Sequence, residues 1–80
     1  MRLTGDLIRM VRISRKLTQA ALAEKAGATQ ALISYIENGV KSINLEMEVC
    51  FRKILNLDDA AIRKLTNIAR RRDKKDDEWQ

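Results

Sequence analysis

Residues 18–38, TQAALAEKAGATQALISYIEN, read as two short helices joined by a tight turn. The hydroxyl of Thr18 can cap the free N–H groups of a first helix through Gln19 and Lys25. Gly27 then stands where the backbone needs a positive φ, which only glycine takes without steric cost. A second cap, Thr29, opens another helix through Gln30, and the pair Asn38-Gly39 suits a left-handed exit from it. A connection this short permits only an angled pair.

The small and apolar residues make the pattern specific. With Gln19 as the first position, Leu22, Ala26, Ala28, Ile33 and Ile36 fall where two helices crossing at roughly 90 to 120° share a core. Ala23 sits at their closest approach, where a larger side chain would push them apart. Six or seven positions agree at once, which identifies a helix-turn-helix over 18–38.

Outward from that stretch, each flank supplies more helix. Thr4 can cap a first helix running to about Lys16, with Leu3 and Ile8 as a hydrophobic staple across its start. Leu7, Ile8, Val11 and Ser14 make its inner face, and Arg9, Arg12, Arg15 and Lys16 point outward or sideways. Leu17 and Leu22 repeat the staple at Thr18. After Gly39 a short connector, Val40 to Ile43, leads to Asn44, a cap for a fourth helix through Leu55. Leu45, Met47, Val49, Cys50, Phe51, Ile54 and Leu55 spread over more than one stripe of that helix, which predicts contact on two sides. Asp58 caps a last helix, 58–70, in which Ala61, Ile62, Leu65, Ile68 and Ala69 recur at helical spacing and Leu57 staples to Ile62. Residues 71–80 are densely charged and are expected to form a disordered tail, so residues 1–70 are the expected domain.

Composition bounds the function. Eighty residues allow one small domain that gains from a partner subunit. Cys50 has no partner for a disulfide and reads as a buried small apolar residue, and a chain without histidine lacks the ligands for a common zinc site. No cofactor and no metal are expected, and no nucleophile with a base or phosphate-cradling loop points to an enzyme. No segment is apolar and long enough to span a bilayer, and the start lacks a signal peptide's apolar run, so a cytoplasmic protein is expected. The formal charge is +5, and residues 1 to 57 hold nine basic residues against five acidic ones. A basic surplus alone decides little; beside a helix-turn-helix it favours DNA.

The chain resembles the lambdoid-phage repressor and Cro family, the Xre-type helix-turn-helix proteins, over roughly Leu7 to Leu57. Arg12, the block Leu17-Thr-Gln-Ala-Ala-Leu-Ala, Gly27-Ala-Thr-Gln and Ile33-Ser-Tyr-Ile-Glu-Asn-Gly39 carry the resemblance. It implies an all-α, lambda-repressor-like bundle of about five helices that binds operator DNA as a dimer, with the second motif helix in the major groove. In the phage repressors the glutamines that open the two motif helices hydrogen-bond each other and together hold an adenine and a phosphate. Gln19 and Gln30 stand at those positions, and a glutamine amide suits adenine, donating to N7 and accepting from N6. By the same resemblance Thr29, Ala31 and Tyr35 face bases, Asn38, Lys41 and Ser42 face phosphates, and Arg12 pairs with Glu37 while approaching the DNA backbone. Ser34 either touches DNA or sits against its own backbone, and Tyr35 has the alternative of packing on the fourth helix.

Two positions depart from the family. Ile43 stands where relatives usually carry proline, and Glu48 where they carry an apolar residue. Glu48 either pairs with Arg52 on an exposed face or marks a rotated helix. The expected function is sequence-specific transcriptional regulation by a homodimeric repressor on an inverted repeat. The rival is a protein-interaction module, such as an antitoxin, that uses helix 58–70 to bind a protein partner.

Overall fold

Each helix begins at a residue whose side-chain oxygen accepts a backbone N–H, and each cap is the one its sequence predicts. Thr4 Oγ1 accepts from Leu7, Thr18 Oγ1 from Ala21, Thr29 Oγ1 from Leu32, Asn44 Oδ1 from Met47 and Asp58 Oδ1 from Ala61, at 2.8–3.3 Å. The computed structural model describes the backbone of residues 2–78 and the side chains of residues 2–71. Five helices follow in order, α1 (Gly5–Ser14), α2 (Gln19–Ala26), α3 (Gln30–Glu37), α4 (Leu45–Ile54) and α5 (Asp59–Glu78), with no strand among the described residues. The fold is all-α, as expected.

Four of the helices also end alike. After α2, Gly27 takes φ 65°, its N–H reaches the carbonyl of Glu24, and the Ala28 N–H reaches that of Ala23. This is the Schellman exit, which satisfies carbonyls that a helix end leaves without partners. Gly39 does the same after α3 at φ 77°, Asn56 after α4 at φ 54° and Lys16 after α1 at φ 57°. At Lys16 the left-handed turn explains a shorter α1 than its apolar pattern suggests. The Lys16 and Leu17 N–H groups bond back to Ile13 and Arg12, so the helix stops at Ser14, which is exposed and not part of the inner face.

The core collects one side of every helix. Ile8, Leu22, Ile33, Ile36, Leu55 and Ile62 are fully buried, joined by Leu3, Leu7, Val11, Ala23, Ile43, Phe51 and Leu57. All three staple pairs lie in or against this cluster. Helix α2 packs on α3 and α4, and α1 packs on α3 and α5. The eight-residue α2 and α3 are too short to persist alone, so this packing is what holds them. Gly5 shows how close α1 and α3 come, since a Cβ there would overlap the Ile36 carbonyl oxygen.

Other expectations change with the packing. Glu48 is not on an exposed face: its side chain is 14% accessible, Oε1 accepts the Leu3 N–H at 2.8 Å and Oε2 faces Arg52 Nε at 3.4 Å. The carboxylate therefore ties the segment before α1 to α4, a use that an apolar residue could not serve. Cys50 is half-buried rather than buried. The two-sided contact predicted for α4 is met on one side; Leu45 and Val49 stay exposed. Helix α5 continues past the expected end near residue 70 to Glu78, and the side chains of 72–80, where most of the predicted tail falls, lie outside the described residues. Its stripe turns largely inward, with Ile62 buried and Ala61, Leu65 and Ala69 packed against the core, while Ile68 is exposed.

Candidate nucleic-acid interface

Helix α3 is split lengthwise. Ile33 and Ile36 are buried and Leu32 is half-buried on one side, and Gln30, Ala31, Tyr35 and, past its end, Asn38 are exposed on the other. At 100° per residue the positions 30, 31, 34, 35 and 38 occupy an arc of about 140°, a single outward face. Its apolar back fixes the helix, and its front carries amide, hydroxyl, methyl and phenol groups. These are the groups that read base edges in a major groove wide enough to admit a helix.

At the start of this face, Thr29 Oγ1 accepts the Leu32 N–H, which leaves its O–H and methyl group for any outside contact. Gln30 is exposed, and its side chain makes no hydrogen bond among the described residues. Ser34 Oγ is 3.3 Å from Asn38 Nδ2, which donates to it, so Ser34 rests against its own helix exit. Tyr35 is 52% accessible on this outward face. Beyond the helix, the Val40 and Lys41 N–H groups both donate to the Tyr35 carbonyl, at 2.9 and 3.2 Å. That doubly held turn carries the exposed Lys41 and Ser42 next to the α3 face.

Behind the face lies a polar knot that joins three helices. Arg12 of α1 donates from Nε to Glu37 Oε2 at 2.7 Å and from Nη2 to Oε1 at 3.0 Å. Its Nη1 donates to the Leu17 carbonyl at 2.8 Å, just ahead of the Thr18 cap. The Glu37 side chain is 1% accessible and that of Arg12 13%. The bidentate hydrogen bonding to Glu37, with its negative charge, holds the Arg12 pKa above the ordinary guanidinium value. Removing either partner of so buried a pair typically costs about 3–5 kcal/mol, because the other charge is then left uncompensated. Three of the five guanidinium N–H groups are engaged here, so two remain for the phosphate contact that the family resemblance implies.

Gln19 differs from its expected pairing. Its Nε2 donates to Glu37 Oε1 at 3.3 Å, and no bond joins Gln19 to Gln30. The two glutamines do open α2 and α3 as expected, but the first is tied to the end of α3 and not to its beginning. Periodicity gives no sign of this tie, nor of the Leu3–Glu48 bond or of the Arg2 guanidinium that donates to the Ile43 carbonyl at 3.1 Å. Each joins residues far apart in sequence through a polar group that no apolar pattern marks.

Ala23, 4% accessible, and Gly27, left-handed, hold the structural positions predicted for them. No helix is long and apolar enough to cross a membrane, and no cluster of potential metal ligands occurs among the described residues. Neither the curated proteins nor the solved structures contain a match to this chain. A helix-turn-helix family model, however, matches residues 8–47, half of the chain, from within α1 to the start of α4. With capped, Schellman-closed α2 and α3 inside that span, the chain belongs to the helix-turn-helix family of DNA-binding regulator domains, of the Xre or lambda-repressor type.

Proposed function

We propose that this protein is a transcriptional repressor that occupies an inverted-repeat operator as a homodimer and blocks a promoter. The observation that carries the reading is the outward face of α3, polar and unencumbered, backed by a buried apolar side. In this reading Gln30 contacts a base pair through both ends of its amide, Ala31 and Thr29 offer methyl groups to thymine, and Tyr35 and Ser34 extend the readout. Asn38, Lys41 and Ser42 at the helix exit, with Gln19 and Arg12, engage phosphates and fix the register.

One feature supports a homodimer. Leu45 and Val49 lie one turn apart on α4 and are 76% and 59% accessible, and Val40 in the connector before it is 74% accessible. Exposed apolar side chains on so small a domain gain by meeting a second copy. An inverted repeat follows from that symmetry, with recognition helices about 34–36 Å apart to enter successive major grooves. Selecting bound duplexes from a random pool tests the proposal directly. A palindromic consensus is the expected result, and recovery of no consensus at all would refute sequence-specific binding. Sedimentation that finds a monomer at micromolar concentration, with and without the selected duplex, would refute the dimer.

A further inference from the structure

We propose that Glu37 is a positioning residue for DNA binding and acts through Gln19. The inference rests on the DNA-binding reading of the α2–α3 surface and extends it to a buried carboxylate that touches no DNA.

The chemistry of the knot sets the direction of the Gln19 amide. An ionised carboxylate can only accept hydrogen bonds, so the amide must present Nε2 to Glu37 and turn its carbonyl oxygen away. The reverse flip would set two acceptors against each other. Glu37 itself has little freedom, because Arg12 grips both its oxygens and is held in turn by the Leu17 carbonyl. A half-buried glutamine at the first position of α2 thereby loses the freedom to flip and swing before any DNA arrives. It offers an outward carbonyl oxygen and one remaining N–H in a fixed plane. Ordering such a side chain in advance lowers the entropy cost of binding. The same grip couples the geometry of α1, the entry to α2 and the end of α3 to one surface amide.

A double-mutant cycle tests the relay. Glu37→Asp keeps the charge but draws the carboxylate back by one methylene, and Gln19→Met keeps the side-chain length while removing the amide. The probe is the duplex that the wild-type chain selects from a random pool, titrated at fixed salt with the folded fraction of each variant measured by circular dichroism. Glu37→Asp is expected to weaken binding about two- to tenfold, the factor for freeing one rotamer-rich side chain. In the Gln19→Met background the same change is expected to have a clearly smaller effect, confined to what passes through Arg12. Equal losses in both backgrounds would overturn the relay, because Glu37 would then act through the fold or through Arg12 and not through Gln19. Failure of the wild-type chain to bind any duplex would instead overturn the DNA-binding reading, and the relay with it. A second readout needs no change at Glu37. In the free wild-type protein one Gln19 side-chain amide proton should resonate downfield and exchange slowly with solvent. An amide with the shifts and exchange of a free glutamine would overturn the proposal even if Glu37→Asp fails to fold.

Discussion

Two glycines separate two costs that a single substitution usually mixes. At Gly27 nothing lies within 4 Å of an added Cβ, yet φ is 65°, so Gly27→Ala meets a conformational penalty alone, about 1–2 kcal/mol. At Gly5 the added Cβ would overlap the Ile36 carbonyl, backbone against backbone, so α1 and α3 must part. Urea unfolding should therefore show Gly5→Ala as the more damaging, at the upper end of the roughly 1–3 kcal/mol range for overpacking or beyond it. A smaller loss at Gly5 than at Gly27 would contradict the close approach. The exposed residues divide as sharply. Gln30→Ala is expected to cost on the order of 1–3 kcal/mol at one base pair and to relax preference there. Lys41→Ala should weaken all duplexes alike and flatten the salt dependence by about one unit. Titration of matched and singly substituted duplexes distinguishes the two; uniform loss for Gln30→Ala would argue against base reading.

At the level of elements, starts and stops were largely legible. A Thr, Asn or Asp before an apolar run marks each of the five helices because capping depends on residues three positions apart. Gly27 and Gly39 were legible as left-handed exits for the same local reason. Lys16 and Asn56 were not, since their side chains do not demand positive φ and the turn is imposed by the packing of Leu17 and Leu57 that follow. The polar ties between elements were the least legible. Arg12–Glu37 came from a family resemblance, and Gln19–Glu37 and Leu3–Glu48 from neither periodicity nor resemblance. The link between α4 and α5 gives a prediction of its own. Arg52 Nη1 donates to Asp59 Oδ1 at 2.7 Å, and this bond, with the attendant charge, holds the Asp59 carboxyl below its ordinary value. A carboxyl lowered in the folded state contributes stability above the ordinary carboxyl range and loses it as pH falls through the lowered value. Asp59→Asn should therefore reduce Tm at neutral pH and leave it unchanged at the acid end, once the pH lies below the lowered value. Because Asp59 is exposed, added salt should shrink the difference; a Tm change constant across pH would exclude this origin.

For the whole molecule, the helix-turn-helix and the assembly place different demands on the chain. The core is closed by α1, α4 and α5, and α5 spends most of its apolar stripe on that closure. The most exposed large aliphatic side chains, Leu45, Val40 and Val49, belong to α4 and the connector before it, which shifts the proposed contact between copies away from the last helix. Leu45→Glu with Val49→Glu should leave the monomer folded, because neither side chain is in the core, and should abolish dimers in sedimentation. Affinity for a palindrome should then drop toward that for a single half-site. An unchanged dimer would move the interface elsewhere on the surface. The central claim, that the α3 face reads sequence, is met most directly by titrating the wild-type chain at physiological salt against its selected duplex and against a scrambled duplex of the same composition. Preference for the selected duplex by at least about a thousandfold is expected. Equal affinity for the two would contradict it.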